Sequence, residues 1–316
     1  MPVTLKDIAR ACGVSYSTVS KALKDSPLVT QQTKSIIKQK AEEMNYIPNN
    51  SARSLVSNKS GTIGLIWPAV DRIAVTTLAT QVNAALQKHG YFMVVSIDKP
   101  EVAAGKFLEL RFDGVIVFDE GPETRLSNKI TKNVPVIAYG VSKELHYPIV
   151  NVNHDTAIKK AVDQLIKDGH HSIDYVGELD TDDIRQTVKR DTFKEYCKEK
   201  NIKYRLIDSE GLSEASTREA LTKFLKNEKI NDAVICGSYD ITMGFLHHLD
   251  KKEPKSIVSF DNIKQFDAID IPLYTVGVPA ETIAEHLVMH LHENIQSGNT
   301  ASSKVINLYP ELTYHQ

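Results

Sequence analysis

Hydrogen-bonding side chains are grouped near the amino terminus in the stretch SYSTVSKAL, residues 15–23. The apolar residues of this stretch recur at helical spacing and are Val19, Ala22 and Leu23. This spacing predicts a short helix with one inward face. Tyr16 and Ser17 then stand on its exposed side near the helix start, and Lys21 follows one turn later. Side chains in these positions can reach the edges of base pairs in a DNA major groove.

Two further predicted helices position this one. Residues 4–12 form a helical pattern with Thr4 as N-cap and Asp7 at the third position, and Gly13 ends it. Ser15 can cap the second helix, and residues 31–44 predict a third. The side chains expected to face inward from the third helix are Ile36, Ile37, Ala41 and Met44. A helix, a tight turn containing glycine and a second helix predict an all-α helix-turn-helix head.

The distribution of charge supports a polyanionic partner for this head. Residues 1–60 contain nine Lys or Arg and four Asp or Glu, which gives a net charge of +5. Residues 61–316 contain 29 basic and 36 acidic residues, a net charge of −7. A small basic head on a larger acidic body indicates that the head alone binds nucleic acid.

Composition places the chain among ordinary globular proteins. A length of 316 residues, of which 41% are hydrophobic and 25% charged, predicts two or three domains. No apolar run reaches the roughly 18 residues of a membrane span, and the first ten residues do not form a signal peptide, so we expect a cytoplasmic protein. Cys12, Cys197 and Cys236 lie far apart and predict reduced packing residues, with neither disulfides nor a metal site.

From Gly61 onward, strand and helix patterns alternate. The strand patterns of the first half are TIGLIW, FMVVSID, FDGVIVFD and VPVIAYG. Strand and helix patterns alternate again after residue 153. Such alternation predicts a body of two doubly wound lobes, each a parallel sheet with helices on both faces. We expect a head at residues 1–48, a linker at 49–60 and a body at 61–316. The first lobe should contain residues 61–152 and 280–304, and the second residues 153–276 and 305–316.

An enzyme is the opposing class of function. The sequence contains no Gly-x-Gly-x-x-Gly, P-loop, Gly-x-Ser-x-Gly or His-Glu-x-x-His motif. We therefore expect no catalytic activity, no cofactor and no metal. A stand-alone sugar-binding protein would lack the basic head.

The head resembles the LacI/GalR family of bacterial transcription regulators. The segments TLKDIARACGVSYSTVSKAL and NYIPNNSARSLVSNKSGTIGLI carry this resemblance in register. It implies a set of DNA-binding residues, namely Thr4, Ser15, Tyr16, Ser17, Thr18, Ser20, Lys21, Tyr46, Asn49, Ala52, Arg53 and Leu55. In this family the Ala-Arg-Ser-Leu segment is a hinge helix that folds in the minor groove, where its Leu wedges a base step. Leu55 stands at that position, and a polar segment this short cannot hold a helix alone in water.

The body resembles the sugar-binding core of the same family, a fold shared with type I periplasmic binding proteins. The motifs DGVIVF, LIKDGHHSIDYVG, SIVSFDN and IPLYTV carry the resemblance. Effectors of this fold bind between the lobes, at the carboxyl ends of the strands. The implied effector-binding residues are Asp261, Asp240, either Lys189 or Arg190, and the aromatic residues Trp67 and Tyr139. Phe118 is an alternative aromatic platform, and Asp261 could instead be only a helix cap.

The resemblance implies a sequence-specific DNA-binding regulator that has no membrane partner. Its partners would be double-stranded operator DNA with a palindromic site, a second copy of the chain and a small sugar-like effector. A repressor of carbohydrate-utilisation genes is the first interpretation. The alternative is an activator or global carbon regulator that responds to a non-sugar or phosphorylated ligand.

Overall fold

The computed structural model describes residues 3–47, 59–67, 71–141, 146–249, 255–298 and 303–316. The chain forms two compact units, Met1–Ser60 and Gly61–Gln316. No helix within the described ranges is long and apolar enough to cross a bilayer.

The amino-terminal unit contains the expected helices α1 (Leu5–Cys12), α2 (Tyr16–Leu23) and α3 (Gln31–Glu43). Gly13 ends α1 with a positive φ of 67°, which glycine adopts without steric cost. Fully buried Ile8, Val19 and Ile37, one from each helix, form the centre of the small core. The sequence predicts that Ile36 faces inward, but it is 53% exposed, because α3 buries Lys34, Ile37 and Ala41 instead.

The first lobe of the body is a six-stranded parallel sheet with strand order β11-β5-β4-β3-β1-β2. Its strands are β1 (Thr62–Ile66), β2 (Phe92–Ser96), β3 (Gly114–Phe118), β4 (Val136–Tyr139), β5 (Ile149–Val152) and β11 (Val305–Leu308). Helices α4 (Ile73–Lys88) and α11 (Ala280–Ser297) pack together on one face. The other face carries α5 (Pro100–Glu109) and the short α6 (Asn128–Thr131).

The second lobe is a six-stranded sheet with strand order β12-β10-β9-β8-β6-β7, parallel except for β12. Its strands are β6 (Ser172–Gly177), β7 (Lys203–Asp208), β8 (Ala233–Cys236), β9 (Ser256–Asn262), β10 (Leu273–Pro279) and β12 (Glu311–His315). Helices α7 (His154–Lys167) and α8 (Ile184–Glu199) cover one face. The opposite face packs against α9 (Glu214–Phe224) and α10 (Tyr239–Leu246). The predicted fold class of two doubly wound lobes is confirmed.

The chain passes between the lobes after β5, after β10 and after β11. The expected placement of residues 305–308 in the second lobe is wrong. Strand β11 pairs in parallel with β5 of the first sheet, from Val305 opposite Ile149 to Leu308 opposite Val152. Only β12 belongs to the second sheet, where it pairs antiparallel with β10. The crossing therefore lies at residues 309–310, after the strand rather than before it.

Candidate functional site

The second helix of the head begins at a well-formed cap. The Ser15 Oγ accepts a hydrogen bond from the Thr18 N–H at 3.1 Å and lies 2.8 Å from the Ser17 Oγ. This cap sets the start of α2, and hence which side chains face outward. Tyr16, Ser17 and Lys21 are exposed, whereas Val19 is buried. The helix therefore presents a polar face of hydrogen-bonding groups to solvent.

The remaining candidate DNA contacts of the head have different surroundings. Thr4 is exposed and donates its hydroxyl to the Asp7 Oδ2 at 2.7 Å, which anchors α1. Thr18 and Ser20 are half-buried, and Tyr46 packs against the head core. Four candidates, Asn49, Ala52, Arg53 and Leu55, lie outside the described residues. Contact of all these residues with DNA remains a prediction.

A second candidate site lies between the lobes of the body. The strands of each sheet end there, and helix α8 begins there at Ile184. Sequence patterning predicts this helix from residue 188, one turn too late. Asp183 is its N-cap and accepts the Arg185 N–H at 2.9 Å. The extra turn brings Arg185, which the sequence analysis missed, into the cleft.

Arg185 is the most highly connected cation of the cleft. Its Nε and Nη2 donate to the two carboxylate oxygens of Asp183 at 2.9 and 2.7 Å, and Nη2 also donates to Glu120 Oε1 at 3.0 Å. Its Cζ lies 4.2 Å from the centre of the Phe118 ring. Burial alone would raise the pKa of Asp183, but the Arg185 guanidinium outweighs burial and lowers it. Burial does raise the pKa of Glu120, because its single bond to Arg185 compensates less.

Lys189 and Arg190 point in different directions. Lys189 is 4% exposed, donates from Nζ to the Gly237 carbonyl at 2.8 Å and lies 4.5 Å over the Phe260 ring. Burial lowers its pKa to about 8. Arg190 instead donates to the Leu179 carbonyl and forms an ion pair with its neighbour Asp191, away from these groups. Of the two alternatives, Lys189 faces the cleft.

Asp261 lines a cavity and also caps a helix. Its φ is +73°, and its Oδ2 accepts the N–H of Tyr239, the first residue of α10, at 3.0 Å. The cavity has a volume of about 50 Å³, and Tyr139 and His154 line it together with Asp261. This volume holds a few water molecules, so a sugar could enter only if the lobes moved apart.

Asp240 lies at a direct contact between the lobes. Its Oδ1 accepts the Ile73 N–H of the first lobe at 3.3 Å, and its Oδ2 lies 4.0 Å from the Arg72 Nε. Burial raises the pKa of Asp240, because these contacts only partly replace water. Asp240 thus contributes two contacts between the lobes in this structure.

The aromatic candidates form a row behind the cleft. Trp67 is buried, donates from Nε1 to the Val75 carbonyl at 3.1 Å and meets the Phe118 ring edge-on at 4.7 Å. Phe118 in turn lies 5.3 Å from Tyr139. Burial raises the pKa of Tyr139 to about 12, so it is a neutral hydrogen-bonding group. Trp67 therefore supports Phe118 from behind, and Tyr139 is the ring that borders the cavity.

His154 is a further cavity residue that sequence reasoning missed. Its Nδ1 is buried and has no hydrogen-bond partner among the described residues. Burial, assisted by the positive charge of Lys189, holds the pKa of His154 well below its ordinary value, so the imidazole is neutral. Its place directly after the crossing strand β5 was the available signal. Within the described ranges, no group of three or more His, Cys, Asp or Glu side chains could hold a metal ion.

Comparison with protein families and known proteins agrees with this architecture. Residues 4–49 match the model of bacterial regulatory proteins of the lacI family, and residues 162–316 match a periplasmic binding protein-like domain. The chain is 25% identical to catabolite control protein A of Priestia megaterium over 100% of its own length and 99% of the relative. It is 26% identical to the probable HTH-type transcriptional repressor ExuR of Bacillus subtilis (strain 168), covering 96% of the chain and 95% of the relative.

Solved structures show the same fold at lower identity. The lac repressor dimer bound to operator and the anti-inducer ONPF superposes with a TM-score of 0.80 at 20% identity, covering 100% of this chain and 98% of that one. A LacI-family regulator from Silicibacter pomeroyi gives a TM-score of 0.78 at 22% identity, with 99% and 98% covered. Among these proteins, ExuR is a probable HTH-type transcriptional repressor, and the lac repressor dimer is bound to operator. The head therefore matches the lacI family of bacterial regulatory proteins, the body matches a periplasmic binding protein-like domain, and relatives of similar length span both.

Proposed function

We propose that this protein is a cytoplasmic transcriptional repressor that binds palindromic operators as a homodimer and is controlled by a small sugar-like effector between its lobes. The observation that carries the proposal is the exposed polar face of α2, with Tyr16, Ser17 and Lys21, on a basic head. Selection of bound sequences from a random DNA pool tests it, and a palindromic consensus is expected because a two-fold dimer reads two equal half-sites. Recovery of no preferred sequence would contradict the proposal. The proposal includes the linker at 49–60, in which Leu55 wedges a base step in the minor groove.

Lys21→Ala should relax base preference at one position of each half-site. Lys21 is exposed one turn from the start of α2, where a side chain reaches base edges, so its loss should cost about 1–3 kcal/mol on the preferred sequence. Binding measured across single-base variants of the selected site checks this. Equal weakening on all variants would instead make Lys21 a phosphate contact.

A thermal-shift screen on the full chain should identify the effector. Sugars, sugar acids and sugar phosphates form the panel, because the cleft combines carboxylates, cations and aromatic rings. A ligand at 100 times its Kd should stabilise the protein by about 2.7 kcal/mol. Stabilisation by none of these classes would contradict the effector proposal while leaving DNA binding intact.

Asp261→Asn should weaken the response to an effector identified in this way while operator binding survives. Asn keeps an oxygen that can accept the Tyr239 N–H, so the variant removes the charge and preserves the helix cap. The dose-response of operator release measures the effect. Lys189→Ala should reduce the response in the same assay, whereas Arg190→Ala should not, because only Lys189 faces the cleft. An unchanged response in Asp261→Asn would leave Asp261 as a cap alone.

The edge strand β2 carries exposed apolar side chains that could form the interface of the proposed dimer. Phe92 is 69% exposed, and Val95 and Ile97 are also exposed beside it. Phe92→Asp should raise the dimer dissociation constant by at least about tenfold, because a charge would be buried without a partner. Sedimentation measures this. Tyr309→Asp, at an equally exposed aromatic residue outside β2, is the control, and dissociation by both variants or neither would contradict the assignment.

A second candidate is a regulator that answers a phosphorylated or non-sugar ligand. Three cations, Arg72, Arg185 and Lys189, interact electrostatically in one cleft, and Lys189 forms no ion pair within the described residues. An anionic group would compensate its charge. Stabilisation by sugar phosphates or acids, but not by neutral sugars, would favour this candidate.

A further inference from the structure

The guanidinium of Arg185 lies over the Phe118 ring, where the two lobes meet. Phe118 ends β3 of the first lobe, and Arg185 lies in the first turn of α8 of the second, with its Cζ 4.2 Å from the ring centre. Arg185 also donates to Glu120 Oε1 at 3.0 Å, and the Ile184 N–H donates to the Glu120 carbonyl at 3.3 Å. One short segment of the second lobe therefore holds the end of β3 by stacking, by an ion pair and by a backbone hydrogen bond.

Arg185 is held in this orientation by its own lobe. Asp183 accepts hydrogen bonds from its Nε and Nη2, a bidentate arrangement that fixes the plane of the guanidinium. The side chains of Asp183 and Arg185 are each 8% exposed, and that of Glu120 is 31% exposed. Screening by water and salt is weak at such depth, so the contact with Glu120 can act between the lobes. The guanidinium is therefore preorganised before the lobes meet.

The face of the Phe118 ring that Arg185 covers is the feature against which a sugar would pack. Pyranose rings and guanidinium groups both pack on aromatic faces, so the two compete for Phe118. The remaining cavity beside Tyr139 has a volume of only about 50 Å³.

We propose that Arg185 is a built-in occupant of the cleft, an autoinhibitory latch that closes the lobes and covers Phe118 until an effector displaces it. The proposal rests on the proposed function in that it takes the cleft as the effector site. Its test needs no effector, so its failure and the failure of the proposed function are separate results.

The chain contains a natural reporter and a matched control for this latch. Trp67 is its single tryptophan and meets Phe118 edge-on at 4.7 Å, so its emission and its quenching by acrylamide sense the latch. Arg205 makes a comparable set of contacts within one lobe: a bidentate pair with Asp174, an ion pair with Glu228 at 3.2 Å and the Phe224 ring at 5.1 Å, and it also donates to the Lys229 carbonyl. Glu228→Gln thus removes a carboxylate whose ion pair with Arg205 lies within one lobe.

Glu120→Gln and Arg185→Lys are compared with Glu228→Gln in the full chain without ligand. Both latch variants should increase Trp67 quenching and speed amide exchange of Ile184 and Ile73, whose N–H groups bond across the lobes, by about tenfold. Lys keeps the charge of Arg185 but lacks its fork. Glu228→Gln should match the wild type.

If folded Glu120→Gln shows the same Trp67 quenching and amide exchange as the wild type, the latch proposal is overturned. Glu120→Gln alone decides the test if Arg185→Lys does not fold. An equal change in Glu228→Gln would overturn the latch proposal too.

Discussion

The Ile37→Ala variant is expected to lose DNA binding because its head no longer folds. Ile37 is fully buried at the centre of the head, and removing so many core atoms costs about 2–5 kcal/mol. A unit of this size has only a few kcal/mol of stability. Circular dichroism should show loss of helix equivalent to the head, and binding to the selected operator should disappear. The body should keep its own thermal transition, since the two units are separately compact.

The neighbouring residue provides the control. Ile36 has the same side chain but is 53% exposed, so Ile36→Ala should change head stability by less than about 0.5 kcal/mol. Normal operator binding by Ile37→Ala, or equal loss in both variants, would contradict the assigned head core.

Lys189→Met should stabilise the body at pH 7, although it removes a candidate effector contact. The pKa of Lys189 falls from 10.5 to about 8, which corresponds to a cost of about 3 kcal/mol for the buried ammonium. Met fills similar space without charge, but it leaves the Gly237 carbonyl without its donor. The expected net gain in free energy of unfolding is therefore about 1–3 kcal/mol. Denaturant unfolding at fixed pH measures it.

The pH dependence provides an independent test. Between pH 8 and 10.5 the unfolded chain keeps a proton on Lys189 that the folded protein has lost, so stability from this residue rises with pH. The advantage of Lys189→Met should accordingly be full below about pH 8 and vanish near pH 10.5. Lys198→Met, an exposed position on the same helix, should show neither effect. A destabilised Lys189→Met at pH 7 would contradict the burial assigned to the ammonium.

A gain in stability from Lys189→Met would also bear on the role of Lys189 in effector binding. A buried lysine that lowers stability is retained more readily where it contacts a ligand, since functional sites often carry a cost in stability. Loss of effector response together with a gain in stability would therefore support Lys189 as an effector contact. Stabilisation with an unchanged response would make it a packing residue.

The sequence by itself determined the elements whose signals are local. Gly13 and Ser15 marked the end of α1 and the start of α2, because a left-handed turn and a helix cap each depend on one residue and its nearest neighbours. Alternating strand and helix patterns likewise predicted two parallel-sheet lobes, because strands buried on both faces are apolar throughout. Trp67, Tyr139, Asp240 and Asp261 were implied as effector-binding residues by the family resemblance and not by these patterns.

Only the tertiary structure decided which side chains meet. Helix α8 begins one turn before its apolar pattern does, because Asp183 caps it, and this brings Arg185 onto Phe118 and Glu120 from the other lobe. Strand β11 pairs with β5 of the first sheet, more than 150 residues earlier in the chain, so its place depends on a distant partner. Ile36 and Ile37 differ in burial because the direction of α3 is set by packing on α1 and α2. Contacts of this kind depend on residues distant in the chain, so no local pattern specifies them.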